Sequence, residues 1–188
     1  MSLLIIGVVI WSLTHLFPSV LPDTRDGLVG KLGENRYRGL FALLIIASLV
    51  LIVLGWRRSL PTALYAPPFA ASPVISALVL IALILFFASG APGNIKRFVR
   101  HPQMAGTMLW GIAHLLTNGS TRAVALFGGL TLWAIVEVLM CNRRDGKWQK
   151  PEPAAIKFDV IPVVIGSVIF AAVLYFHGTL FGVPAIPG

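Results

Sequence analysis

Six long apolar runs, separated by short basic connectors, constrain this chain more than any other feature. A membrane span needs about 20 mostly apolar residues, with roughly 17 as the lower limit. The candidates are residues 3–21, 39–56, 73–89, 102–116, 122–140 and 160–177. The expected fold class is therefore all-α: a polytopic membrane protein with a six-helix transmembrane bundle, forming a single transmembrane domain over residues 1–188. Composition agrees. The chain is 57% hydrophobic and 12% charged, with a mean hydropathy of +0.86. A soluble domain is roughly 25% charged.

The net charge of +8 does not point to nucleic acid. The basic residues lie between the apolar runs rather than along one helix face, as in proteins anchored to acidic headgroups. The first, third and fifth connectors hold Arg25, Lys31, Arg36 and Arg38, then Lys96, Arg97 and Arg100, then Arg143, Arg144, Lys147, Lys150 and Lys157. Only Arg57, Arg58 and Arg122 fall on the other side. The positive-inside rule then puts both termini outside and the odd-numbered connectors in the cytoplasm. Residues 3–21 have no preceding Lys or Arg and no small-residue cleavage site, so they read as a retained first helix. The stretch "TNGST" has the Asn-Gly of a tight turn and predicts a close hairpin of spans four and five. "YAPPFAASP" (65–73) is a proline-stiffened connector, and 148–159 a loop suited to lying along the membrane surface. The glycine-rich segment after span one fits either a short interfacial helix or a structured loop.

Histidine in a membrane span is costly and faces a protein interior, a cavity or a ligand. His15 lies in span one with Trp11, Ser12 and Ser19 on its face. His114 lies in span four, sharing a face with Gln103, Thr107 and Trp110. His101 precedes Pro102 at the mouth of span four, beside Arg100, and sits about 220° around the helix from His114. His15 is about 9 Å from the cytoplasmic end of its span and His114 roughly 18 Å from the same side. Those depths allow His15 to meet either His114 or His101. Two such histidines, each with a tryptophan one turn away, suggest a shared ligand. A zinc-type cluster would want more ligands at fixed spacing, and neither HExxH nor CxxC occurs. Haem needs only one or two axial histidines in an apolar pocket. A helix mouth carrying Arg100 and His101 suits an anion. Glu137, four residues before Cys141, reads either as a proton or polar partner for the pocket or, the preferred reading, as snorkelling to the cytoplasmic edge near Arg143 and Arg144. His177 reads as interfacial, and Cys141 as a reduced thiol without a role.

Three stretches carry a resemblance: "H-x7-DTRDGLVGKLGENRYRGLF" after the first span, "RHPQMAGTMLWGIAHLLTNG" in the fourth, and "LFGGLTLWAIVE" followed by "RRDG" in the fifth. Over roughly residues 13–165 the chain resembles the NnrU family, which includes bacterial proteins linked with denitrification genes and the plant and cyanobacterial 15-cis-ζ-carotene isomerase. The resemblance implies haem b held by histidine, at the positions His15 and His114. The isomerase's cysteine, three residues before the second histidine, is Gly111 here, so the thiol for a histidine/cysteine ligand exchange is missing. By analogy the activity would be redox-gated cis-trans isomerisation of a long apolar polyene delivered by the bilayer. Two alternatives stand beside it: a non-enzymatic accessory of nitric-oxide respiration, and an S-adenosylmethionine-dependent membrane methyltransferase. The phrase "RHP" at a helix start is similar to the isoprenylcysteine carboxyl methyltransferases, and would make Arg100 and His101 cofactor contacts. Fold similarity does not transfer a substrate.

Overall fold

The structure is a computed structural model describing residues 1–69, 72–183 and 185. Among these residues there are seven helices: α1 (Ser2–Val20), α2 (Pro22–Leu32), α3 (Glu34–Arg58), α4 (Pro73–Ala88), α5 (Pro102–Thr117), α6 (Thr121–Asp145) and α7 (Lys157–Phe181). A 3-10 turn, Asn94–Arg97, precedes α5. Four of the helices, α1, α3, α6 and α7, are long and apolar enough to cross a membrane. Helix α4 is apolar and 16 residues long, and α5 is also 16. At 1.5 Å per residue, each of these two extends about 24 Å, short of a ~30 Å hydrocarbon core.

The segment after the first run is helical. Pro18 and Pro22 bracket the end of α1, and Pro22 supplies the fixed φ that suits a first helical residue. Gly33 then separates α2 from α3 at φ +82°, a conformation other residues rarely adopt. Helix α3 therefore starts at Glu34, five residues before the apolar run, with Arg38 paired to Glu34 at 2.8 Å. Of the connector 65–73, residues 70 and 71 lie outside the described residues.

The chain divides into two compact units. The first comprises residues 1–65 and 120–146, and so α1, α2, α3 and α6. Its apolar centre is Leu4, Val8 and Ile52, with Trp11, Trp56 and Leu130 packed around it. Helices α1 and α3 are antiparallel and in close backbone contact. A Cβ on Gly7 would sit 2.8 Å from the Ile52 nitrogen, and one on Gly55 would collide with Leu4. Small residues allow such approach where lipid gives no hydrophobic drive between helices. Helix α6 packs on α1 and contains a π segment, Val124–Gly128, whose Phe127 meets Trp56 edge-on at 6.0 Å. Just before it, Arg122 lies 4.4 Å over the Trp56 ring and donates from Nη1 to the carbonyls of Trp56 (3.5 Å) and Ser59 (3.4 Å). These carbonyls belong to the end of α3, where helix acceptors lack an intrahelical partner four residues on; that of Trp56 also accepts from the Ser59 N–H at 3.3 Å.

The second unit comprises residues 66–119 and 147–188, with α4, α5 and α7. Helix α4 is the shared partner of the other two. Gly106 of α5 lies against the Ala82 carbonyl, leaving 2.5 Å for any added Cβ. Ser72 caps α4 by accepting from the Ile75 N–H at 3.4 Å. Within their own units, α5 lies on α4 and α6 on α1.

Candidate functional site

In the first unit, His15 sits within an aromatic cluster. Trp11 is 4.3 Å away with rings inclined at 35°, Trp133 of α6 is at 5.1 Å, and Phe41 of α3 at 5.5 Å. The His15 Nδ1 is 2.9 Å from the Trp11 carbonyl, one turn back on the same helix. A carbonyl can only accept, so Nδ1 carries the hydrogen and Nε2 is the lone-pair nitrogen. The indole N–H groups of Trp11 and Trp133 are buried without a hydrogen-bond partner.

One turn further along, Ser19 donates to Glu137 Oε1 at 2.5 Å. Cys141 Sγ is 3.4 Å from that same oxygen and 3.5 Å from Ser19 Oγ. Arg144 Nη2 reaches Cys141 Sγ at 4.0 Å. Residue numbers rise together along the two helices, Trp11 with Trp133 and Ser19 with Glu137 and Cys141, so α1 and α6 run in the same direction. Glu137 is 8% exposed, and its Oε2 has no partner. The expectation that it snorkels to the helix edge is corrected. Helix α6 continues to Asp145, two turns beyond Glu137, and Ser19 and Cys141 supply donors inside the unit. Cys141 is likewise part of this cluster rather than an isolated thiol.

Trp133 was not singled out from the sequence. The signal was present: Trp133, Glu137 and Cys141 are spaced by four, as are Trp11, His15 and Ser19. Two helices with matching one-turn polar stripes are good candidates to face each other.

The second unit holds the other histidine. His114 Nδ1 lies 2.8 Å from the Trp110 carbonyl, with the Trp110 ring at 5.0 Å. The arrangement repeats that of His15: the sequence Trp-x3-His, Nδ1 tied to the carbonyl four residues back, and an indole beside the imidazole. Thr107, on the same face, instead bonds back to the Gln103 carbonyl at 3.0 Å. His101 stands at the N-cap of α5 with Arg100 before it, as expected, and Pro102 is the buried first helical residue. Thirteen residues put His101 about 20 Å along α5 from His114. His177 lies near the end of α7, where its Nδ1 contacts the Val183 carbonyl at 2.5 Å.

Among the described residues, no three His, Cys, Asp or Glu side chains gather as a ligand set. What the chain does offer a metal is imidazole. Backbone-tethered Nδ1–H is a usual way of fixing a ligating imidazole, since it sets the tautomer and aims Nε2 outward. An apolar helix lined with indole suits a flat macrocycle. Each histidine, within its own unit, has Nδ1 tied in the way that suits an axial imidazole ligand.

An all-helical protein with several membrane-length apolar helices and a Trp–His turn in each of two units is thus defined. The chain matches the description "NnrU protein" over residues 3–185, nearly its whole length, and belongs to the NnrU family. No curated protein and no solved structure matches it.

Proposed function

We propose that this NnrU-family protein binds haem b with His15 and His114 as its axial-ligand residues, and catalyses cis-trans isomerisation of a long apolar polyene. The observation that carries the haem reading is the repeated Trp-x3-His turn, with Nδ1 held by the helix carbonyl in both units. Trp11 and Trp110 would line the macrocycle. The chemistry supplied by a bound haem is Lewis acidity at a double bond. Around it, the helix carbonyls fix the imidazole tautomers, apolar side chains exclude water, and the bilayer concentrates the substrate. Arg100 and His101 open the far end of α5, where backbone N–H groups favour an anion such as a headgroup phosphate. The separation along α5 sets them apart from a haem on His114.

Six spans with both termini periplasmic belong to the same proposal. Its support is the helical run at each of the six expected positions and the charge bias of the connectors. Helices α4 and α5 would be the two shorter members.

The test is a Soret band and pyridine haemochrome on the wild type, His15→Ala and His114→Ala, in folded protein supplied with haem. Loss of axial ligation in either variant supports the site. Colourless wild type, or two variants with wild-type spectra, overturns it. Product analysis in cells accumulating 15-cis-ζ-carotene tests the reaction: haem bound with no isomer formed, reducing conditions included, refutes the isomerase and leaves an accessory role.

A further inference from the structure

We propose that the second unit holds a binding site for one anionic phospholipid. It combines an apolar groove with a basic rim, and uses neither histidine of the haem proposal. The groove, about 310 Å³, is lined by Phe87, Ala91, Pro92, Phe158, Ile161 and Ile165 among others, at the junction of α4 and α7. The lining suits an acyl chain. It stops where the chain turns polar on both sides: Pro92 leads into the 3-10 turn Asn94–Arg97, and Phe158 follows Lys157.

The rim is held in place by a set of hydrogen bonds. Asn94 donates to the Ala154 carbonyl (2.8 Å) and to Asp159 Oδ2 (2.7 Å), and accepts from the Ala154 N–H (3.0 Å). Asp159 Oδ1 accepts from the Ile95 N–H at 2.9 Å. Arg97 donates from Nε to the Pro151 carbonyl at 3.1 Å. Segment 151–159 is therefore bound along the 3-10 turn, and both Asp159 oxygens are engaged inside the clamp.

Four cations surround this junction: Lys96 and Arg97 on the turn, Lys150 beside Pro151, and Lys157 at the groove itself. Lys157 Nζ lies 5.2 Å over the Phe158 ring, which lines the groove. Glu152 is the acidic residue left on the loop. Phe98 (80% exposed) and Ile156 (73%) stand out beside the charges. Exposed apolar side chains among basic ones are the pattern of a surface seated at the headgroup level. A ligand matching both halves has an acyl chain and a phosphate on one molecule.

Native mass spectrometry of the purified protein, offered equal phosphatidylglycerol and phosphatidylcholine in mixed micelles, tests this. One retained phosphatidylglycerol per chain is expected. Each basic side chain near anionic lipid is worth roughly a factor of five, so two should contribute a preference of about 25-fold. Lys96→Gln with Lys157→Gln should lower the preference by that factor, and the two lysine-to-arginine changes should keep it. Ile161→Trp, filling the groove, should lose the lipid with all charges intact. Glycerol 3-phosphate at equal concentration should not displace it. Equal retention of both lipids by the wild type overturns the proposal, as does a preference that the double glutamine change leaves undiminished. Wild-type retention in folded Ile161→Trp, or displacement by glycerol 3-phosphate, removes the groove and overturns it too. If Ile161→Trp does not fold, the lysine variants decide.

Discussion

Ser19 of α1 and Glu137 of α6 are joined by a 2.5 Å hydrogen bond between two side chains that are each 8% exposed. It is a polar contact between apolar helices, and it fixes the register of α6 on α1 one turn from His15.

Removing one partner of such a pair should cost more than removing both. Ser19→Ala deprives a buried carboxyl of its short donor, with an expected loss of about 1–3 kcal/mol. Ser19→Ala combined with Glu137→Met, which removes the polar group altogether, should recover part of that loss. Thermal or denaturant unfolding in detergent reads both. A double variant less stable than Ser19→Ala would show that Glu137 is held by something else.

The indoles and the imidazole tethers are separable. Trp110 and Trp11 hold their histidines through main-chain carbonyls. Trp110→Phe and Trp11→Phe should therefore retain haem while shifting the Soret position, whereas the histidine variants lose a ligand. Haem titration with absorption spectroscopy distinguishes the two outcomes. Loss of haem from both phenylalanine variants would assign the binding to the indoles.

Arg122 closes the end of α3 by two carbonyl contacts and by its stacking on Trp56. A cation–π contact is worth about 0.5–2 kcal/mol, depending on how dry it is. Arg122→Ala should lower stability by about that much or more, since the carbonyls lose their donor as well. Arg122→Lys should restore only part, because it keeps the charge and loses the planar fork. Unfolding curves of the three proteins check the order.

Leu60, 82% exposed after α3, and Lys147, after α6, should lie on opposite sides of the membrane in the proposed topology. Leu60→Cys and Lys147→Cys, each in a Cys141→Ala background, should label with an impermeant thiol reagent from opposite faces. Labelling of both from the periplasm would defeat the six-span orientation.

The helices were legible because apolar runs of this length have few alternatives. Their ends were less so. Hydropathy starts the second helix at Gly39, yet the backbone has no reason to unwind the charged turn from Glu34 once Gly33 has broken the chain and Arg38 can pair with Glu34. The same bias ended the fifth span at Met140 and so misplaced Glu137. Helix α2 has no buried residue, so no periodic core face announced it. The Trp–His turns were visible as spacing. The tether to the carbonyl was not, because a main-chain acceptor leaves no letter in the sequence. Trp133 was missed because its meaning depends on which helix faces α1.

The π segment sets the phase of α6. Arg122 before it must meet Trp56, while Trp133, Glu137 and Cys141 after it must meet α1. One residue more or less turns a helix by about 100°, and a π turn absorbs such a surplus residue locally. Were Val124–Gly128 wound as ordinary α-helix, the two ends of α6 could not both keep their partners. The wide turn is thus a gearing between an arginine clamp at one end and a carboxylate-bearing stripe at the other, letting a single helix face two directions.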